Sequence, residues 1–295
     1  MAICVLILGA IIGSFLSVCI YRIPYGRVPE TLDGAESTVD QEAAQKKADS
    51  QNQQVLTVNS PSRSFCPACK KQLHWYHNVP VLSWICLFGK CAFCKAPISG
   101  RYPLVECLSA LFAYLSWVQF GATPTAALIY LFCATLIVIS FIDYDYFIIP
   151  NVISIPGTII GFAIAVTNHF TGIFVAPVVP DIMSAIWGVL AGAGFLYFVS
   201  EVYLRLRKKE GLGMGDVKLL AMTGVLFGVP GALYTIFLGS LLGSVIGILL
   251  IVLFGRRMSQ QLPFGPYLAL GTILYLFMGP ERIAEFFATL MGLRA

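Results

Sequence analysis

Charged residues are scarce in this sequence. Only 12% of its 295 residues are charged, whereas 58% are hydrophobic and the mean hydropathy is +0.81. A soluble domain carries about 25% charged residues, so the composition excludes a soluble globular protein and indicates a polytopic membrane protein. The net charge of +4 does not indicate nucleic-acid binding in such a chain, because the positions of the basic residues matter more than their sum. We therefore expect the lipid bilayer as a partner, and no nucleic acid.

Several common signals are also missing. The chain has no Walker loop, and its Gly-x-Gly elements lack the strand, turn and helix of a dinucleotide site. Residues 1–20 lack a basic leader and a small-residue cleavage site, so we expect a retained first span and no signal peptide. Residues 31–60 contain no aromatic residue and are rich in polar residues, which predicts a flexible insertion.

The hydrophobic residues gather in eight segments. After a first span at residues 1–23 and a polar region at residues 24–103, the apolar segments cover residues 104–120, 124–142, 151–168, 182–204, 217–228, 231–254 and 266–290. About 20 residues are needed to cross hydrocarbon, so the segment at 217–228 is short for a crossing. The sequence predicts an all-α membrane protein of about eight transmembrane helices, with a cytoplasmic loop at 24–103 and a seven-helix domain at 104–295.

The basic residues predict the orientation. If the polar loop faces the cytoplasm and all eight segments cross, seventeen of the nineteen lysines and arginines lie on the cytoplasmic side, as the positive-inside rule requires. The N-terminus then lies outside. The same count brings the ends of the segments that carry Asp143, Asp145 and Asp216 to the cytoplasmic boundary, so these residues can form one site.

Four of the nine cysteines form two Cys-x-x-Cys pairs, Cys66 with Cys69 and Cys91 with Cys94. Four thiolates close the tetrahedral shell of a structural zinc ion and leave no open position for catalysis. A redox or disulfide pair is the alternative, but the cytoplasm keeps thiols reduced. His74 and His77 lie between the pairs; they could be alternative ligands, although we favour surface histidines in an aromatic turn.

Two aspartate motifs indicate the chemistry. Asp143 ends an apolar run, and Asp216 follows three glycines within five residues at the start of another. A carboxylate at a membrane helix end is costly and is interpreted as functional by default. Two carboxyl groups that share one proton can serve as base and acid toward a water molecule, as in aspartic proteases. The alternative is that these residues only mark the membrane boundary.

Three nearby charges have open roles. Asp145 lies two residues after Asp143 and could support the pair. Lys218 could be a counter-charge to Asp216, although we favour an interfacial anchor. Glu106 lies just inside the second span, where a supporting role and a structural role are equally compatible with the sequence.

Motifs along nearly the whole chain resemble those of the bacterial prepilin peptidases, also called type IV leader peptidases. Besides the paired cysteines and the Asp143 motif, the resemblance is carried by Gly13-Ser14-Phe15-Leu16, Arg101-Tyr102-Pro103-Leu104-Val105-Glu106, Gly213-Met214-Gly215-Asp216-Val217-Lys218 and Phe264-Gly265-Pro266-Tyr267. Asn151 departs from the family, which more often has an aspartate after the proline.

The resemblance implies an inner-membrane aspartic endopeptidase that cuts the leader from type IV prepilins or type II secretion pseudopilins. It implies Asp143 and Asp216 as the catalytic pair, zinc on Cys66, Cys69, Cys91 and Cys94, and N-methylation of the new N-terminal residue with S-adenosylmethionine. No motif locates a pocket for that cofactor. Pilus or secretion assembly components are further expected partners.

Two other functions share some of these features. A transporter with a zinc-stabilised cytoplasmic domain should carry its carboxylates near the bilayer midplane on broken helices in two halves, whereas these aspartates lie at an interface. A general intramembrane protease of the presenilin type would share the Gly-x-Gly-Asp motif, but it does not call for the paired cysteines.

Overall fold

The computed structural model describes residues 1–24, 66, 68–69, 71–74, 76, 79–208, 213–254 and 262–290. These residues form helices and no strand, apart from isolated bridge pairing such as Lys90 with Pro97. The predicted all-α fold is therefore confirmed. The insertion expected at residues 31–60 lies outside the described residues, as does His77.

Nine α-helices follow one another along the described chain. They are α1 (Ala2–Arg22), α2 (Leu82–Cys86), α3 (Arg101–Phe120), α4 (Pro124–Tyr146), α5 (Asn151–Thr171), α6 (Ile182–Val189), α7 (Phe195–Arg207), α8 (Met214–Phe254) and α9 (Gly265–Leu290). A π-helical turn at Leu190–Gly194 joins α6 to α7. The predicted segment at 182–204 covers α6, the π-helical turn and most of α7, and every other predicted apolar segment coincides with one helix or with part of one.

Helix α8 reverses direction at Gly228, where φ is 66° and ψ is −163°. Residues on both sides of Gly228 contact the same residue, Gly192 in the π-helical turn. A Cβ atom on Gly192 would lie 3.0 Å from Ala232 Cβ and 3.2 Å from Leu220 O. A straight helix would separate Leu220 from Ala232 by about 18 Å, so the two arms of α8, residues 214–227 and 229–254, fold back on each other. The apolar segments predicted at 217–228 and 231–254 are these two arms.

Six helical stretches among the described residues are long and apolar enough to cross a membrane. They are Ala2–Arg22, Arg101–Phe120, Pro124–Tyr146, Asn151–Thr171, Ile182–Arg207 and Met214–Leu253. The last of these contains both arms of α8. Helix α9 is not among the six, and it is broken at Gly279. The chain is a membrane protein, and eight crossings remain a prediction.

Close glycine contacts give the relative directions of the helices. Helices α1 and α3 are antiparallel, α5 and the first arm of α8 are parallel, and the second arm is antiparallel to α9. The contacts that show this are Gly9 with Ala110, Gly13 with Glu106, Gly157 with Met222, Gly161 with Val225, Gly239 with Leu268 and Gly271 with Thr235.

These directions give the bundle two distinct ends. The site end holds the last residues of α1 and α4 and the first residues of α3, α5, α8 and α9. The far end holds the loops at 121–123 and 172–181 and the reversal at Gly228. Contacts between elements at the site end include Arg101 with Asp145, Lys218 with Asn151, and Gly265 with Asp143.

The far end is closed by the loop that joins α5 to α6. Buried Asn168 donates to the carbonyl oxygens of Phe174 (3.1 Å) and Val179 (2.8 Å), and it accepts from the Phe174 amide at 2.8 Å. The Val179 amide donates to Leu226 O at 2.8 Å. These bonds fold the loop onto the bundle, where it covers the far ends of α5 and α8.

Candidate active site

Asp143 lies in the last turn of α4. Helix α4 begins at a capping threonine, Thr123, followed by Pro124, and it ends at Phe147 in the left-handed region with φ 55°. The Asp143 side chain is buried, with 6% of its surface exposed. Its Oδ2 accepts a hydrogen bond of 3.0 Å from the amide of Gly265 at the start of α9.

Asp216 lies in the first turn of α8, directly after the glycine-rich segment. The first turn of a helix presents free amide groups and a positive dipole end, which favour a carboxylate there. Asp216 is buried, with 8% exposed, and its carboxyl group receives the Gly213 amide. Gly213 lies so close that a Cβ atom on it would be 3.4 Å from Asp216 Oδ2.

The structure brings Asp143 and Asp216 together. The two carboxyl groups are close enough to interact electrostatically. Ile149 lies between Gly215, which precedes Asp216, and Gly265, which binds Asp143. A Cβ on Gly215 would be 2.9 Å from Ile149 Cβ, and a Cβ on Gly265 would be 3.3 Å from Ile149 Cδ1. Two buried carboxyl groups from separate helices therefore share the site end, and acid and base catalysis would need both of them within hydrogen-bond reach of one water molecule.

Asp145 is held outside the pair. Its two carboxylate oxygens each lie 2.7 Å from a nitrogen of Arg101, and both side chains are partly exposed. The Arg101 guanidinium also lies 5.7 Å from the centre of the Tyr144 ring. This ion pair joins the start of α3 to the end of α4, so the structure favours a structural role for Asp145.

Lys218 bonds to the start of α5. Its Nζ donates to Asn151 Oδ1 at 2.7 Å, and no ion pair between Lys218 and Asp216 occurs in the described part of the chain. The counter-charge interpretation of Lys218 therefore has no contact to support it. The bond joins α5 to the first arm of α8 beside Asp216.

Glu106 is buried between α1 and α3, with 7% exposed. Its Oε2 accepts the Val81 amide at 2.7 Å, and Ser14 also bonds to the carboxyl group. Val81 has φ 60°, a conformation that β-branched residues rarely adopt. Glu106 thus fastens the segment between the two cysteine pairs to the membrane helices, which favours its structural role.

The four cysteines form a cluster that could hold a metal ion. All four Sγ atoms lie within 4.8 Å of one another, and Cys66 Sγ lies 3.8 Å from Cys94 Sγ. Four thiolates about 2.3 Å from a tetrahedral ion would be about 3.8 Å apart, so the donor set fits zinc. The Cys94 and Phe93 amides bond to the Cys91 thiol and lower its pKa from 9.0 to about 6. Although the Ala96 amide bonds to Cys94, burial and the neighbouring thiols raise the pKa of Cys94 to about 11, so the four thiols become thiolates together only when a metal binds.

Trp84 holds together the segment around the second cysteine pair. Trp84 Nε1 donates to Ile98 O at 3.1 Å, and the Trp84 ring packs against Gly89. His74 stacks on Tyr76 with ring centres 5.3 Å apart and is not part of the cluster, as expected for a histidine in an aromatic turn.

Sequence reasoning missed the roles of Ile149 and Gly265 in the site. Gly265 belongs to the Phe264-Gly265-Pro266-Tyr267 motif, and Ile149 precedes Pro150 six residues after Asp143, but neither pattern places its residue against an aspartate. The available signal was a glycine followed by proline at the start of α9, since that pattern leaves room at a helix N-terminus.

Two family models match the chain. One, described as the bacterial peptidase A24 N-terminal domain, matches residues 7–120, which include the four cysteines. The other, described as the type IV leader peptidase family, matches residues 130–248, which include Asp143 and Asp216.

Similar proteins carry the name prepilin leader peptidase/N-methyltransferase. The one from Pseudomonas aeruginosa is 34% identical over 279 residues, 94% of this chain and 90% of that protein. The one from Stutzerimonas stutzeri is 34% identical over 284 residues, covering 96% and 92%. The chain belongs to the type IV leader peptidase family. No solved structure matches it.

Membership of the type IV leader peptidase family confirms the resemblance that the motifs indicated. A relative of the same name from Aeromonas salmonicida is 32% identical over 291 residues, 97% of this chain and 94% of that protein. The relatives give no support to a transporter or to a presenilin-type protease. The region that matches the type IV leader peptidase model, residues 130–248, contains both members of the buried carboxyl pair.

Proposed function

We propose that this chain is a membrane aspartic endopeptidase that removes the leader peptide of type IV prepilins or type II secretion pseudopilins. The observation that carries the proposal is the convergence of buried Asp143 and Asp216 at the site end. The names of the relatives supply the substrate class. Asp145, Lys218 and Glu106 then act as structural supports of the site end.

The reaction uses one water molecule and no covalent intermediate with the enzyme. The ionised carboxylate of the pair accepts a proton from water as the water oxygen attacks the scissile carbonyl carbon, and the protonated carboxyl group donates its proton to the carbonyl oxygen. The resulting tetrahedral diol collapses when the leaving nitrogen is protonated and the C–N bond breaks. The products are the leader with a new carboxyl group and the pilin with a new amino group.

The four cysteines would hold a structural zinc ion, because the set supplies four thiolates and no open coordination position. In this proposal residues 24–103 form a cytoplasmic loop that carries the zinc, and residues 104–295 form the peptidase domain. Glu106 and the ion pair between Arg101 and Asp145 hold the metal module beside the site end. The ion stabilises this arrangement and takes no part in the hydrolysis.

A second activity follows from the name of the relatives, which includes N-methyltransferase. S-adenosylmethionine would supply a methyl group to the new amino terminus. The proposal assigns no residue of this chain to that cofactor.

The bacterial inner membrane is the proposed location, with the N-terminus and the far end in the periplasm. The site end carries Arg22, Arg101 and Lys218, which supports a cytoplasmic position for it. A reporter inserted after Gly172 should then be accessible from outside the inner membrane. Accessibility from the cytoplasm alone would contradict this orientation.

The proposed function can be tested by mass. The purified full-length protein in detergent is incubated with a prepilin peptide and S-adenosylmethionine, and the products are measured by intact-mass spectrometry. We expect loss of the leader, and a separate gain of one methyl group on the mature peptide. An unchanged peptide would contradict the peptidase activity, and cleavage without the mass gain would contradict only the methylation.

A further inference from the structure

The start of α9 touches the candidate active site directly. The Gly265 amide donates to Asp143 Oδ2, and both residues are buried. A Cβ atom on Gly265 would lie 2.6 Å from that oxygen and 3.1 Å from Asp143 Cγ. Atoms cannot approach that closely, so any other residue would displace the carboxyl group. Glycine at this position therefore leaves the space that the Asp143 carboxyl group occupies.

Ile149 contacts the backbone beside both aspartates. The chain turns at Phe147, in the left-handed conformation, and Pro150 caps the start of α5. Between them, Ile149 is buried, with 8% exposed. It packs against Gly215, the residue before Asp216, and against Gly265, the residue that binds Asp143. One apolar side chain therefore separates the two backbone segments that hold the carboxyl groups.

We propose that Gly265 and Ile149 are positioning residues for the peptidase reaction. The Gly265 amide fixes one oxygen of Asp143, and Ile149 fixes the spacing between the Asp216 backbone and that amide. This inference rests on the proposed function, and it gives the Phe264-Gly265-Pro266-Tyr267 motif a role in catalysis.

The physical basis is the short reach of proton transfer. Acid and base groups act within hydrogen-bond distance of the atoms they serve, and a misplacement of about 1 Å can lower the rate about 100-fold. Neither Gly265 nor Ile149 supplies a group that reacts. Loss of either should therefore lower kcat and leave KM nearly unchanged, whereas a residue that only packs the helices should alter stability.

The test compares four variants of the full-length protein, purified in detergent, on one prepilin peptide. Gly265→Ala should lower kcat about 100-fold and Ile149→Ala about 10-fold or more, with KM within 2-fold of the wild-type value. Ile149→Val keeps the branched side chain and should restore most of the rate. Gly271→Ala is the matched control on the same helix, because its Cβ would lie 2.8 Å from Gly239 N and Thr235 O, away from the aspartates.

Gly271→Ala should lower the unfolding temperature and leave the kcat of the folded protein near that of the wild type. Thermal unfolding and size-exclusion profiles identify the folded fraction of each variant. If Gly265→Ala does not fold, the comparison of Ile149→Ala with Ile149→Val decides.

Three outcomes overturn the inference: kcat near the wild-type value in the folded Gly265 and Ile149 variants, an effect on KM alone, or an equal kcat loss in Gly271→Ala. If the wild-type protein cleaves the peptide, only this inference fails. A wild-type protein that cleaves no prepilin overturns the proposed function and this inference with it.

Discussion

The two ends of the bundle differ in how many hydrogen bonds their buried polar side chains make to the protein. At the far end, the Asn168 side chain makes three hydrogen bonds to the backbone of the loop it holds. At the site end, the buried carboxyl groups of Asp143 and Asp216 each receive one backbone amide. A carboxylate can accept about four hydrogen bonds, so this pair retains capacity for water and substrate. The far end therefore has its buried polar group fully bonded within the protein, whereas the site end keeps free hydrogen-bonding capacity, as the proposed chemistry needs.

The largest effect should come from removing either carboxylate at the site end. Asp143→Asn and Asp216→Asn keep the size of the side chain but cannot share a proton, so each should lower prepilin cleavage by up to about 10⁴-fold. Each variant should still insert in the membrane. Cleavage rates by mass spectrometry and unfolding temperatures check both statements. Normal cleavage by both variants would remove the basis for the catalytic pair.

The far end should show the reverse pattern. Asn168→Ala leaves the Phe174 amide and two carbonyl groups without a buried partner, at about 1–3 kcal/mol for each lost partner. We expect a lower unfolding temperature and an unchanged cleavage rate per folded molecule. A selective loss of kcat without loss of stability would break the contrast between the two ends.

Much of the fold was readable from hydrophobicity alone, because long apolar runs specify membrane helices. The eight segments and the shared end of Asp143 and Asp216 followed from run lengths and basic residues. The reversal between residues 217–228 and 231–254 was part of that prediction, but its backbone geometry, with Gly228 at φ 66° inside one continuous helical stretch, could not be predicted.

The candidate site was predicted in its acidic residues and not in its supports. Charged groups in an apolar chain are conspicuous, so the aspartates could be identified without coordinates. Gly265 lies 122 residues from Asp143 in the chain. Every residue except proline has a backbone amide, so the residue type does not indicate which amide binds the carboxyl group. The pairing of Asp145 with Arg101 was likewise invisible, because it depends on the packing of α3 against α4.

Metal removal should have an intermediate effect. Cys66→Ser or treatment with a strong chelator should remove the bound metal and lower the unfolding temperature, because the ion joins both cysteine pairs. Cleavage by the remaining folded protein should fall less than in Asp216→Asn. Metal content by elemental mass spectrometry, measured together with cleavage, tests this. A protein that carries no metal when purified without chelator would contradict the prediction.

The same cluster should respond to pH. The pKa of Cys91 is lowered to about 6, whereas that of Cys94 is raised to about 11, so the metal-free cluster binds protons and binds more of them as the pH falls through about 6. Protons then compete with the metal. We expect the metal to be retained at pH 7–8 and released at lower pH. Metal release on raising the pH above 8, with retention at low pH, would contradict this prediction.

The smallest effect should come from Asp145→Asn. This variant loses a partly exposed ion pair with Arg101, and such pairs contribute about 1 kcal/mol or less. Cleavage should stay within a few-fold of the wild-type rate, so the variant is a matched control for Asp143→Asn in the same turn of α4. A loss as large as that of Asp143→Asn would move the catalytic role to Asp145.

The central claim is that Asp143 and Asp216 occupy one site at one end of the bundle. The most direct measurement is the distance between their carboxyl oxygens in an experimental structure of the full-length protein in lipid nanodiscs. One bridging water makes two hydrogen bonds of about 2.8 Å, so we predict a nearest oxygen separation of no more than about 6 Å, with Gly265 against Asp143. Carboxyl groups at opposite membrane faces, or separated by packed helices, would contradict the account.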